Sequence, residues 1–182
     1  MNSYDNLLGA DTAASGGGSD ELFNGGAVDI SGFELYLRRI LVDNGRIQMP
    51  FELSWTNTSS EFQESFDGFW GEVSKGDELP YLPDTMIALN LGLNVDKLSA
   101  NISMKKTSEM RTVAGSGSIP ESNATDELTI IDLGMRYALQ DNIRLSVSIN
   151  NFMDDDGIAA RRPYGARPTM PRSLSFGVDY TF

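Results

Sequence analysis

The 182-residue sequence contains no cysteine and no histidine. Without cysteine there is no disulfide, no thiol chemistry and no thiolate ligand for a metal, which suits a protein that crosses an oxidising periplasm without covalent cross-links. Without histidine, the commonest general base and metal ligand is missing. Enzymes need an activated nucleophile or a paired acid and base, and the remaining carboxylates have no convincing partner. We therefore predict that the chain is not an enzyme and has no catalytic residue, metal site or cofactor.

Long apolar runs and positive charge are also scarce. No apolar run approaches the roughly 20 residues that a membrane-spanning helix needs. The 14 basic residues are outnumbered by 26 acidic ones, giving a formal net charge of −12, which argues against nucleic acid as a partner. Residues 1–4 have neither the basic nor the apolar region of a signal peptide. If the protein is exported, we expect this chain to be a piece of something longer.

What the sequence does contain is strict alternation, most clearly in its last ten residues, 173–182. Apolar side chains occupy the even positions and small or polar ones the odd positions, ending on an aromatic residue. A period of two is typical of a strand whose faces meet different surroundings. The ending resembles the C-terminal assembly signal of bacterial outer-membrane proteins, carried by Ser175, Gly177, Tyr180 and Phe182. The pattern predicts a transmembrane β-barrel strand.

The same alternation recurs in seven earlier segments, so that eight strands are expected, the first of them incomplete. These segments lie at 2–8, 28–41, 47–66, 87–95, 98–104, 131–139 and 143–149. Short turns at 43–46, 96–97 and 140–142 alternate with long polar segments at 11–26, 67–84, 111–126 and 154–171. Transmembrane barrels show this asymmetry, with short periplasmic turns and long extracellular loops. We predict an all-β, antiparallel transmembrane barrel segment.

The inward positions are small and polar, for example Asn90, Gly92, Ser99 and Ser148. Such side chains suit a wide, hydrated or plugged lumen better than the packed interior of an eight-stranded barrel. A short first strand would also leave unpaired backbone groups facing lipid, at a cost of several kcal/mol each. These features favour a segment of a larger barrel.

Several stretches resemble TonB-dependent outer-membrane receptors. Residues 150–154 resemble the "N-L-F-D" stretch near their end, with Met153 in place of leucine or phenylalanine, and residues 161–172 resemble their closing "R-P-x-G-x-R-P-x-x-P-R" segment. Four further stretches, at 4–9, 24–26, 76–83 and 110–115, resemble the ferric dicitrate receptor branch.

The resemblance implies a barrel of about 22 strands, closed by an N-terminal plug, that imports ferric chelates with energy delivered through TonB. Residues 1–182 would then be the C-terminal part of the barrel, without the plug, the TonB box and the first strands. The implied location is the bacterial outer membrane. The implied partners are a ferric chelate (ferric citrate or a siderophore), the TonB complex acting through the missing plug, outer-membrane lipid and the barrel-assembly machinery.

Arginine is the residue type best suited to bind an anionic chelate, because its guanidinium matches carboxylates. Arg161, Arg162, Arg167 and Arg172 cluster near the end of the chain, and Arg111 lies in a long loop. We name Arg111, Arg161, Arg162 and the aromatic Trp70 as candidate ligand contacts. The alternative for the terminal arginines is pairing with carboxylates on neighbouring strands. The acidic run at 154–156 lacks the alternating pattern of a calcium loop and is interpreted as a solvated loop tip.

Two other functions fit the alternation. A self-standing eight-stranded outer-membrane barrel would serve as an anchor or adhesion module. A soluble, lipocalin-like binding barrel would turn its apolar faces inward.

Overall fold

The computed structural model describes residues 2–4, 8–10, 22–24, 26–68, 71–162 and 165–182. It is all-β. The strands, in chain order, are β1 (Asn2–Tyr4), β2 (Leu8–Ala10), β3 (Leu22–Asn24), β4 (Val28–Asp43), β5 (Ile47–Phe62), β6 (Phe66–Gly68), β7 (Gly71–Val73), β8 (Thr85–Val95), β9 (Leu98–Thr107), β10 (Leu128–Gln140), β11 (Ile143–Asn150), β12 (Ile158–Ala160), β13 (Arg167–Pro168) and β14 (Ser173–Tyr180).

Eight of these strands form one antiparallel sheet in the order β1-β4-β5-β8-β9-β10-β11-β14. Three tight turns at one edge join its main hairpins. In the first, Asn44 Oδ1 accepts hydrogen bonds from the backbone N–H groups of Arg46 and Ile47, at 3.1 and 2.8 Å. Gly45 follows with φ of 82°, a left-handed conformation that glycine adopts without steric cost. The short turn predicted at 43–46 is confirmed.

The described parts of the long connections lie at the opposite edge and contain more regular structure than the polar loops expected from the sequence. Three of them contain a small hairpin: β2 with β3, β6 with β7, and β12 with β13. The fourth contains a single 3-10 turn at Glu121–Asn123. Strands of two or three residues are too short for alternation to be visible in a sequence. The sequence predicts that β5 runs toward Phe66. In the structure β5 ends at Phe62, and Phe66 begins the short strand β6.

The strand register separates two faces. One apolar row crosses six strands through directly opposed residues: Phe51, Leu91, Ile102, Leu133, Ile149 and Leu174. The adjacent row on the other face is small or polar: Gly92, Asn101, Gly134, Ser148 and Ser175. Because opposed residues share a face, the alternation predicted along each strand continues across the whole sheet.

The apolar face does not enclose a dry core. Phe176 and Val178 are 75% and 70% exposed, while Leu89 and Val147 are half-buried. The fully buried apolar cluster lies at the long-loop edge, where Val28, Phe62 and Val73 pack together. Away from that edge, the structure therefore places apolar strand residues such as Leu89, Val147 and Val178 on the outer surface, as expected for a lipid-facing wall.

The sheet does not close within the described residues. β1 pairs with β4 only at Val28–Ile30, and β14 pairs with β11. This open sheet agrees with the prediction of a barrel segment. No helix in the described part of the chain is long and apolar enough to cross a membrane.

Candidate functional site: the loop junction and the inner wall

Arg111 lies in the connection between β9 and β10 and is buried. Its Nη2 lies 2.6 Å from Glu78 Oε2, and its Nε donates to the same oxygen at 2.7 Å. Nη2 also donates to the carbonyl of Gly117 at 3.1 Å. The Arg111 side chain is 5% exposed and the Glu78 side chain is 43% exposed. The guanidinium therefore joins two long connections, and ligand contact by Arg111 stays a prediction.

Tyr81 links the connection before β8 to the one before β14. Its hydroxyl oxygen accepts the backbone N–H groups of Arg161 and Arg162, at 3.3 and 2.8 Å. Its own N–H donates to the carbonyl of Arg111 at 2.8 Å. Tyr81 has φ of 58°, which is uncommon for a non-glycine residue. We call the cluster of Glu78, Tyr81, Arg111 and Arg161 the loop junction.

The terminal arginines have different surroundings. Arg161 Nε donates to the carbonyl of Ala124 at 2.5 Å, and Arg167 Nη2 donates to the carbonyl of Arg162 at 2.5 Å. Arg172 lies 3.7 Å from Asp154 Oδ2, the kind of carboxylate pairing weighed as the alternative to ligand binding. Among the described residues, the exposed Arg162 side chain forms no ion pair.

Asn151, from the receptor-like stretch at 150–154, holds the last long connection together. Its Nδ2 donates to the carbonyls of Asp155 and Met170, at 2.9 and 2.8 Å, and its Oδ1 accepts from the N–H of Asp155 at 3.0 Å. The residue is 3% exposed. Asn151 therefore holds the two ends of this connection together beside the end of β11.

The acidic run after Asn151 belongs to the same hydrogen-bonded cluster. Asp155 accepts the N–H groups of Thr129 and Gly157, and Asp154 accepts that of Arg172. These carboxylates satisfy backbone donors of the loop and of β10. No group of three or more potential metal ligands occurs in the part of the chain that the structure describes.

Two predicted features fall outside the described residues: Trp70, and the glycine-rich segment within 11–21. The other tryptophan, Trp55, lies on the outer face, where its ring meets that of Phe33 edge-on at 5.6 Å. Of the assembly-signal residues, Ser175 and Gly177 lie on the polar face. Tyr180 and Phe182 follow at the turn edge, with ring centroids 5.9 Å apart.

The polar face forms a concavity of about 960 Å³ between β5 and β14. At two of the glycines on its floor, a neighbouring side chain already occupies the space that a Cβ would need. A Cβ at Gly177 would sit 2.5 Å from Ser146 Oγ, and one at Gly92 would sit 2.8 Å from Pro50 Cγ. Arg136 and Arg144 stand on this floor. Sequence reasoning passed over both arginines, although the alternation already placed them on the polar face.

This arrangement defines a class: a wall segment of an outer-membrane-type β-barrel, apolar outside, polar inside, with tight turns at one edge and long connections at the other. Residues 1–152 match the family model described as TonB dependent receptor-like, beta-barrel. The chain belongs to this family, whose members are bacterial outer-membrane receptors and transporters. No match was found among curated proteins.

Solved structures share the fold at low sequence identity. The ferric-catecholate import receptor Fiu from E. coli K12 matches at 16% identity over 99% of this chain, with a TM-score of 0.69. The ferric yersiniabactin uptake receptor FyuA from Yersinia pestis matches at 15% over 89%, with a TM-score of 0.69. The copper transporter OprC matches at 17% over 97%, with a TM-score of 0.65. The chain spans 24%, 25% and 26% of those proteins.

These comparisons confirm the predicted receptor family and barrel fold. They do not single out the ferric dicitrate branch.

Proposed function

We propose that residues 1–182 are the C-terminal part of an outer-membrane active transporter for ferric chelates, energised through TonB. The observation that carries this proposal is the family match over residues 1–152. The two-faced sheet supports it, because an apolar outer row beside a polar inner row suits a wall between lipid and a hydrated lumen. Ferric citrate or a siderophore is the proposed cargo.

The cargo class is drawn from the resemblance and from two of the solved structures, whose proteins take up ferric catecholate and ferric yersiniabactin. OprC is a copper transporter, so a copper complex is the competing cargo. A plug inside the barrel, contributed by the rest of the protein, would pass the TonB signal to the site.

Within this proposal the ligand contacts are Arg111, Arg161, Arg162 and Trp70. Arg162 is the most direct candidate, because its side chain is exposed while its backbone is held by Tyr81. Arg111 and Arg161 would act through the loop junction, where both are already hydrogen-bonded.

The proposed assembly signal, read by the barrel-assembly machinery, is Ser175, Gly177, Tyr180 and Phe182. The proposed location is the bacterial outer membrane, with the apolar outer face against lipid.

The test is uptake by cells that produce the receptor containing this chain, compared with a strain lacking its gene. Radiolabelled ferric citrate, a ferric catecholate and a copper complex are supplied with and without a functional TonB. We expect TonB-dependent uptake of one of the ferric chelates. If copper alone is taken up with TonB, the cargo is a copper complex and not a ferric chelate. If none of the three is taken up in a TonB-dependent way, the transport proposal is wrong.

The same cells distinguish the alternatives. A self-standing barrel would give chain 1–182 alone in the outer membrane, migrating differently on a gel before and after heating. A lipocalin-like protein would give it as a monomer in the aqueous fraction without detergent.

A further inference from the structure

The inner wall carries a cation with no carboxylate beside it. Arg136 of β10 lies directly opposite Ser99 of β9 and Ser146 of β11. The same cross-strand row continues to Asn94 on β8 and to Gly177 on β14. From β8 to β14, Arg136 is the one charged member of this row, which ends beyond Gln48 of β5 at Asp43 of β4. Arg136 forms no ion pair among the residues that the structure describes.

The nearest carboxylates on this face have other neighbours. Asp179 lies directly opposite Arg144, one polar row closer to the turn edge. Asp132 lies four residues before Arg136 on the same strand, roughly 13 Å away at about 3.3 Å per residue. Its Oδ1 accepts the N–H of Asn151 at 2.8 Å.

The surroundings of Arg136 suit an anion that arrives in solution. The concavity of about 960 Å³ lies within the range of roughly 300–1,000 Å³ that is usual for small-molecule sites. Its floor beside Arg136 consists of serine, asparagine and glycine, which leaves the guanidinium in a hydrated setting. A fixed charge on a rigid strand, without an opposed carboxylate, gives brief contact, and a transport path needs binding weak enough for release.

We propose that Arg136 is an anion contact on the inner wall, where the oxyanions of a metal chelate are held between entry at the loops and release at the turn edge. This inference rests on the proposed transport function and deepens it by naming a site beyond the loop junction. The ligand chemistry is carboxylate or catecholate oxygen on a small chelate, matched by the guanidinium fork.

The test measures the charge at this point of the wall directly. In the receptor containing this chain, Ser99→Cys places a thiol opposite Arg136, and the chain has no other cysteine. The thiol is modified with one anionic and one cationic thiosulfonate reagent of similar size. We expect Arg136→Gln to lower the anionic rate roughly five-fold and to raise the cationic rate roughly five-fold, about the effect of one unit charge at 4 Å in water on each reagent, so that the ratio of anionic to cationic rates falls roughly 25-fold.

Arg136→Lys should retain most of the wild-type ratio, because the charge remains. Arg39→Gln is the matched control, since it removes the same charge from the opposite face of the sheet, where Arg39 is paired with Phe51. The receptor without Ser99→Cys gives the background rate. An unchanged ratio in Arg136→Gln would overturn the proposal. A thiol that resists both reagents would overturn it too, since Arg136 would then lie under a protein segment.

Uptake separates this inference from the function on which it rests. Arg136→Gln should slow uptake of an anionic ferric chelate several-fold while leaving its affinity at the cell surface unchanged. If wild-type cells transport no chelate, the proposed function fails even where the reagent ratio responds. If uptake proceeds but neither the ratio nor the rate responds to Arg136→Gln, the function stands and the inference is wrong.

Discussion

At the residue scale, Asn151 shows how a motif recognised in a sequence acquires a physical role. The stretch at 150–154 resembles a receptor motif, but nothing in its letters shows what it does. In the structure Asn151 has φ of 50°, a left-handed conformation that asparagine tolerates better than most residues. Its amide bridges the two ends of the last long connection. Asn151 therefore closes the last long connection, and these contacts account for its place in the motif.

Replacing Asn151 with alanine should loosen the connection at 152–172. The change removes three hydrogen bonds in a buried setting and leaves their backbone partners unsatisfied, at about 1 kcal/mol or more each. We expect a local loss of roughly 2–4 kcal/mol, measured by amide hydrogen exchange in the intact receptor. Asn150→Ala is the control, because that exposed side chain makes one 3.2 Å bond to Ser173. Equal effects of the two changes would contradict the closure role.

Arg111 and Arg161 also have contacts that the sequence does not reveal. Residue type alone made Arg111 and Arg161 good candidates for an anion site, since guanidinium binds carboxylates well. Tertiary contacts instead place Arg111 against Glu78 and Arg161 against a carbonyl. Sequence spacing does not reveal such partners, because Glu78 is 33 positions from Arg111.

At the element scale, β14 is the strand that the sequence describes best. Its alternation correctly predicts its first residue and its two faces, since a period of two leaves one choice of outward side once the polar face is known. The strand ends at Tyr180, two residues before the predicted end at Phe182. The small hairpins β2–β3, β6–β7 and β12–β13 were not predicted. Their strands are too short for a period of two to be visible in the sequence.

The two faces of β14 should respond oppositely to charge. Phe176→Arg puts a guanidinium on the outer face and should cost roughly 2–4 kcal/mol of folding free energy in a lipid bilayer, if it lies near the midplane. Ser175→Arg puts the same group on the polar face and should cost far less. Denaturant titration of the receptor in lipid vesicles measures both. A larger cost for Ser175→Arg would reverse the assignment of the faces and reject the lipid-facing wall.

At the scale of the whole molecule, the open sheet is the main fact. β1 covers three residues of β4, so Ser31–Asp43 has no partner on that side among the described residues. β14 likewise has one neighbour, β11. Exposed backbone donors and acceptors along such edges pair readily with other chains.

We therefore expect residues 1–182, produced alone, to associate rather than behave as a monomer. After refolding in detergent, the isolated chain should elute as heterogeneous oligomers and should show no heat-dependent shift in gel migration. The full receptor containing it, refolded in the same way, serves as the control and should show the shift. A monodisperse, heat-modifiable monomer of 1–182 would instead support the self-standing barrel.

The sequence by itself determined the strand class, the two faces and the alternation of tight turns with long connections, because these depend on local periodicity and on short-range turn chemistry. The tertiary structure decided which long-range partners the loop residues have, as for Arg111 with Glu78 and Tyr81 with Arg162. It also decided that Arg136 lies between Ser99 and Ser146, with no carboxylate directly opposite it. Those outcomes depend on register between strands far apart in the chain, and a one-residue shift would have paired every side chain differently.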